Sequence, residues 1–379
     1  MSVEQIPIEA SRTKKKKRVR ESQAALVWRR FKQHRLALIS LWIVGAFYFL
    51  AVFAEFIAPY DPSHYSARYT YAPPQGLHFF WRDEEGGLEF GPYVHGYETQ
   101  IDPEAMRRVF VIDETVRYPV SFFVESEPYH LFGLIPMTVR LFGVTDRDAP
   151  MYLLGADRLG RDLLSRLIYG TRISLSIGLV GVALSLILGV VIGGFSGYYG
   201  GWFDNVVQRV IEFIRSMPTI PLWLGLAAAL PRDWSPLTIY FAITVILSLV
   251  GWTELARVTR GRFLALRTED FVTAARLDGA SDWRIVIKHM APSFMSHIIA
   301  TATLAVPTMI LAETALSFLG LGLQPPIVSW GTLLQDAQNI RALASAPWLL
   351  SPGVAVIVAI LALNFLGDGL RDAADPHGR

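Results

Sequence analysis

Six stretches of about twenty mostly apolar residues run through this chain, and an α-helix of that length fits the roughly 30 Å hydrocarbon core of a bilayer. They are Leu36 to Ile57, Ile173 to Phe195, Val206 to Leu230, Leu237 to Leu255, Phe294 to Leu319 and Leu349 to Leu366. The third and fifth are the least apolar. One holds Arg209, Glu212, Arg215 and Pro218, the other Pro307 and Glu313. Both are read as spans, because polar residues and proline are tolerated where a helix faces other helices or water. The first run is too long for the apolar region of a signal peptide and lacks a small-x-small cleavage site. Composition agrees: charged residues are 18% of the 379, against roughly 25% in an average soluble domain. The expected fold class is an all-α polytopic membrane protein with six transmembrane helices.

Lys and Arg collect on the cytoplasmic side of membrane proteins. With six spans, segments 1–35, 196–215, 256–293 and 367–379 share one side, and they hold all six Lys and 22 of the 35 basic residues. Residues 59–165 carry nine Arg, no Lys and sixteen acidic residues. Both termini are therefore expected in the cytoplasm and 59–165 outside. The basic tract Lys14 to Arg20 reads as a topology anchor, with anionic lipid as a second reading. The chain divides into a basic segment (1–35), a first helix (36–58), an insertion (59–165), a transmembrane core (166–368) containing a cytoplasmic loop (256–293), and a tail (369–379).

The insertion is longer than a connector needs and should carry structure of its own. It opens with turn residues such as Asp61-Pro62, Pro73-Pro74 and Gly86-Gly87. Strand-like runs follow at Leu77–Trp81, Arg108–Ile112 and Val120–Val124, with a short helix after Asp102-Pro103. This predicts a small α+β domain that contacts a soluble partner, caps a pathway, or acts only as a rigid spacer.

Several chemistries are unsupported. Cysteine is absent, so thiolate chemistry and disulfides are excluded. No lysine is preceded by Gly or followed by Ser or Thr, so no nucleotide cradle is present. The eight His show no i, i+4 pair of the kind that holds a metal. The chain by itself is expected to be neither an enzyme nor a binder of metal, cofactor or nucleic acid.

The longest internal cytoplasmic loop is patterned. Glu269 and Asp270 suit a helix N-terminus, and Phe271, Ala274, Ala275 and Asp278 share one face. Gly279 can end that helix in the left-handed conformation. Ser281 or Asp282 then caps a second helix to about Met290, and Pro292 marks the approach to span five. Arg257, Arg260, Arg262 and Arg267 should hold the pair at the membrane. With Thr273, Ala280 and Trp283, these residues make a compact knob suited to a groove on another protein; an interfacial amphipathic helix is the alternative. Within the spans, Gly189, Gly193 and Gly197 form a small-xxx-small stripe allowing close helix contact. Glu313 would be costly facing lipid and is expected to face a pathway or an Arg. Arg209, Glu212 and Arg215 read first as a solvated or paired helix end and second as a contact to another subunit.

Thr273-Ala274-Ala275, Gly279 and Pro292 hold the spacing of the EAA loop of ABC importer permeases, which this loop resembles; Thr273 replaces the Glu, and His289 and Ala291 stand where Ile and Leu would. Leu154 to Arg166, Gly197 to Asp204, Glu313 to Gly322, Pro325-Pro326 through Trp330-Gly331 and Asn364 to Pro376 resemble the C-type subunit of the oligopeptide/dipeptide branch. The resemblance covers about 36–58 and 152–376, with 66–150 outside it. It implies the type I importer permease fold in a bacterial inner membrane, half of a translocation pathway shared with a homologous B-type permease. It also implies ATP-binding subunits, which hydrolyse ATP and dock at Asp270 to Trp283 and Pro292, and an extracytoplasmic solute-binding protein. Oligopeptides or dipeptides are the implied cargo, with oligosaccharides or another solute as alternatives. A self-sufficient channel or ion-driven carrier would call for inverted repeats, which the sequence does not display.

Overall fold

The computed structural model describes residues 23–82, 88–102, 107–146, 149–231, 233–293 and 295–374. The basic tract Lys14 to Arg20 lies outside them. Gln23–Phe31 forms a short amphipathic helix, α1. Arg35–Val52 is the first long apolar helix, α2, started by the His34 ring, whose Nδ1 accepts the Ala37 N–H at 3.1 Å. A single turn, α3 (Ala54–Ile57), ends it.

The insertion is a four-stranded antiparallel meander, β1 (His78–Arg82), β2 (Leu88–Asp102), β3 (Arg107–Leu131) and β4 (Ile135–Val144), in that order. The long β3 serves two neighbours in turn, pairing β2 up to Pro119 and β4 from Val120 onward. Between α3 and Leu163 the described residues form one 3-10 turn at Ala67–Tyr69 and this sheet, with loops before and after it. The short helix expected after Asp102-Pro103 falls on 103–106, outside the described residues.

Asp162 then starts α4 (Leu163–Tyr199), its Oδ2 accepting the Ser165 N–H at 2.7 Å. Helices α5 (Gly201–Ser216), α6 (Thr219–Ala228) and α7 (Pro236–Leu266) follow. The loop contains α8 (Asp270–Leu277), α9 (Asp282–Arg284), a π turn (Ile285–Met290) and α10 (Ala291–Ser293). Helix α11 (Met295–Phe318), two short helices α12 (Trp330–Gln335) and α13 (Ile340–Ser345), and α14 (Ser351–Ala374) complete the chain. Helices α2, α4, α7, α11 and α14 are each long and apolar enough to cross a membrane.

The third expected span is not one helix. Val206 to Leu230 is divided between α5 and α6, bent by 87°. Met217 precedes Pro218 and takes an extended ψ of 138°, because the proline ring excludes its neighbour from the helical region and supplies no N–H. The pair still amounts to one crossing. Helices α4 and α7 run parallel: the Ser248 hydroxyl donates to the Gly181 carbonyl at 3.0 Å, Gly189 faces Leu255, and Gly197 faces Arg260 and Phe263. Two parallel neighbours need a connection that returns the full length, and residues 200–235 are that connection. The loop after α7 therefore lies on the side where α4 ends.

Candidate functional site

The loop after α7 folds into a hard-edged knob. Helix α8 ends in a Schellman motif, with Gly279 at φ +75°, its N–H donating to the Arg276 carbonyl and the Ala280 N–H to the Ala275 carbonyl at 3.0 Å. Ser281 Oγ accepts the Arg284 N–H at 3.4 Å and starts α9. The second helix does not stop near Met290. It runs through the π turn, where the Ala291 N–H donates to the Val286 carbonyl, into Pro292 and toward α11.

The end of α4 is the platform. Val272 and Ala275 are buried with Tyr198, Phe263, Ile285, Val286 and Met290. The Tyr198 and Tyr199 hydroxyls donate to the two Asp282 carboxylate oxygens at 2.8 and 2.9 Å. The Arg276 guanidinium lies 5.4 Å over the Tyr198 ring and donates to its hydroxyl, and Phe195 stacks on Trp283 at 5.7 Å. Behind them Arg260 donates twice to Asp204, which also accepts from Ser196. The knob is thus clamped to α4 and α7 at once, and the Arg260–Asp204 pair ties α7 to α5 behind it.

Its outer surface differs in one respect from the expected face. Phe271, Ala274 and Asp278 are exposed, as are Asp270, Thr273, Gly279, Ser281 and Pro292, and Trp283 keeps one part of its ring exposed while the rest stacks on Phe195. Ala275 is buried and Ala280 half-buried, because Val272 and Ala275, three apart, form the face that seals onto Phe263. Leu277, missed in the sequence, is 84% exposed and is the apolar centre of the outer face. A rigid surface carrying Phe, Leu and Trp suits a protein partner, since aromatic anchors dominate such contacts.

The Gly189, Gly193 and Gly197 stripe lies against α7, with the Ala256 and Arg260 backbones closest. Glu313 faces neither an open pathway nor an Arg. It is fully buried and accepts from the Ser329, Ser317 and Ser174 hydroxyls at 2.7, 2.8 and 3.3 Å. Those hydroxyls satisfy the carboxyl within the chain and tie α4, α11 and the start of α12 together. Arg209 pairs with Glu212 and Arg215 with Glu254 at the exposed end of α5.

On the opposite side, the Leu154 to Arg166 segment forms a polar knot. Asp157 accepts the Leu159 and Arg161 N–H groups at 2.8 and 3.0 Å, the Arg161 Nε at 2.7 Å, and the Arg166 guanidinium. Arg158 pairs with Asp336 at 3.2 Å, and Trp348 Nε1 donates to the Ala156 carbonyl at 3.0 Å. The knot joins the insertion to the start of α4 and to the segment before α14. Burial pushes the neighbouring Asp162 carboxyl up to about 6.

The family described as binding-protein-dependent transport system inner membrane component matches residues 189–379, and the N-terminal TM domain of oligopeptide transport permease C matches 22–74. The chain is 36% identical to the oligopeptide transport system permease protein OppC of Bacillus subtilis (strain 168), over 64% of this chain and 77% of that one. It is 31% identical to the dipeptide transport system permease protein DppC of Lactococcus lactis subsp. cremoris (strain MG1363), over 92% of this chain and 89% of that one. A solved inward-facing form of the MetNI methionine ABC transporter covers 56% of this chain and 98% of its own, at 20% identity and a TM-score of 0.44.

Proposed function

The chain belongs to the binding-protein-dependent transport system inner membrane components, as a C-type oligopeptide/dipeptide permease, and from that premise we propose that it forms half of a translocation pathway for oligopeptides or dipeptides. It is a membrane subunit of an ABC importer with the type I permease fold. The names of its relatives support a peptide cargo. A homologous B-type permease completes the pathway, a solute-binding protein delivers the cargo from outside, and ATP-binding subunits hydrolyse ATP in the cytoplasm. The permease sits in the bacterial inner membrane with both termini inside and residues 59–165 outside.

The observation that carries this reading is the clamped knob. Its outer face, centred on Phe271, Leu277 and Trp283, docks in a groove of an ATP-binding subunit. Its inner face holds α4 through Tyr198 and α7 through Phe263, and α7 in turn holds α5 through the Arg260–Asp204 pair. The π turn carries the chain on toward α11. When two ATP-binding subunits close, a knob fixed in this way moves those helices as a body. The cavity between the permeases then switches from inward- to outward-facing.

Tagged purification from native membranes in mild detergent tests the assignment. A second permease and ATP-binding subunits should co-purify in fixed ratio. Recovery alone, or as a homo-oligomer active by itself in liposomes, would overturn it.

A further inference from the structure

The β3–β4 hairpin ends in Leu131-Phe132-Gly133-Leu134-Ile135-Pro136-Met137, seven successive residues without a polar side chain. A hairpin tip standing in water is ordinarily polar, and a run of exposed apolar residues is otherwise a fault in a soluble surface. Here Phe132 is 46% exposed, Leu134 81% and Ile135 52%. Phe132 also sits at φ +56°, where a turn would ordinarily place Gly or Asn. An aromatic ring is held at the apex despite its backbone preference.

The position of the tip gives the ring a purpose. Its centroid lies 5.7 Å from that of Phe53, the residue that closes α2, and Phe53 lies 4.8 Å from the exposed Phe49 ring. On the adjoining strand, Phe123 lies 6.3 Å from Phe56. The eighteen residues of α2 rise about 27 Å, close to the hydrocarbon thickness of a bilayer. Phe53 therefore marks the outer boundary of that layer. The tip continues the exposed apolar side of α2 past the boundary.

We propose that the β3–β4 hairpin dips into the outer leaflet of the bilayer beside α2, so that the partner of this end of the insertion is a lipid surface. Phenylalanine, leucine and isoleucine at the tip replace water contact with acyl-chain contact, as interfacial segments do. The sheet is then held at two points, by the hairpin in lipid and by the polar knot at Asp157, which sets its tilt over the transmembrane helices. The inference rests on α2 crossing the membrane and is independent of the cargo.

The chain contains no cysteine, so one introduced thiol labels one place. Leu134→Cys carrying an environment-sensitive fluorophore is placed in the intact complex in vesicles, with Glu114→Cys, exposed in the first third of β3 and far from the tip, as the aqueous reference. The Leu134 label should lose most of its emission to lipids bearing a quencher near the headgroup and be indifferent to aqueous iodide; the Glu114 label should do the reverse. Ile135→Cys should repeat the Leu134 result. Iodide quenching at Leu134 equal to that at Glu114 would put the tip in water and overturn the proposal. Protection from both quenchers would also overturn it, because a protein surface would then cover the tip.

Discussion

A methyl group at Gly193 has nowhere to go. Its Cβ would stand 2.3 Å from the Ala256 carbonyl oxygen and 2.7 Å from the Ala256 Cα, where ordinary contact begins at 3.4 Å. The obstructing atoms are backbone, so no side chain can rotate aside, and α4 and α7 must part by about 1 Å. Overpacking of this kind costs about 1–3 kcal/mol, offset by up to about 1 kcal/mol from alanine's better helix propensity. Gly193→Ala should therefore be about 0–2 kcal/mol less stable than the parent, and about 1–3 kcal/mol less stable than a Gly→Ala change in open space. Gly45→Ala, in α2 with nothing within 4 Å of the added Cβ, keeps only the propensity gain and should be neutral or slightly stabilising. Thermal unfolding of the detergent-purified complex separates the two. Because α7 also carries Arg260 and Phe263, Gly193→Ala should reduce uptake in vesicles as well. A Gly193→Ala complex as stable as the Gly45→Ala complex would refute the parallel α4–α7 contact as the tight joint of the bundle.

Three further outcomes are expected. Leu277→Asp puts a charge on the centre of the docking face without touching the buried side of α8; it should weaken co-purification of ATP-binding subunits while leaving the chain in the membrane, as pull-down and membrane fractionation will report. Asp162 is raised from 3.8 to about 6 by burial. The stability it confers is full below about pH 4 and lost as pH rises through about 6, a difference of about 3 kcal/mol. Asp162→Asn keeps the cap on α4 and should flatten this component of the unfolding midpoint's pH dependence between pH 4 and 7. Glu313→Gln keeps one oxygen to accept from Ser317 and Ser329 and puts an amide N–H toward Ser174, whose hydroxyl can accept it, so the change should cost little. Glu313→Leu leaves three buried hydroxyls without their acceptor and should lower the unfolding midpoint markedly, each orphaned group being worth about 1–3 kcal/mol.

Hydropathy made α2, α4, α7, α11 and α14 legible, because a continuous apolar run of bilayer length has few other uses. The α5–α6 break was written in Met217-Pro218, but proline inside a span is also tolerated, and only the parallel setting of α4 and α7 separates the two cases. On the knob, the capping signals at Gly279 and Ser281 translated directly into geometry. The facing of Ala275 did not, since an eight-residue helix has an inner and an outer side and alanine suits either. Leu277 escaped for a related reason: a leucine in a sequence reads as core, and its exposure depends on what packs beside it. Glu313 was recognisable as a residue needing partners, yet Ser329 lies sixteen residues away and Ser174 far earlier in the chain, so their convergence is a property of the fold. The strands of the insertion were visible in part, and the apolar hairpin tip acquires meaning only from its place beside Phe53.

The coupling role of the knob is tested most directly at Gly279. It holds φ +75° with nothing within 4 Å of an added Cβ, so Gly279→Val acts through the backbone alone, driving the Schellman turn out of the left-handed region, whereas Gly279→Asn tolerates it. In vesicles holding the whole complex, ATP hydrolysis and peptide uptake are measured together. The Val variant should insert and assemble but take up little peptide per ATP hydrolysed, and the Asn variant should recover most of it. Full uptake per ATP by a correctly inserted Gly279→Val complex would contradict the assignment of this turn as the coupling element.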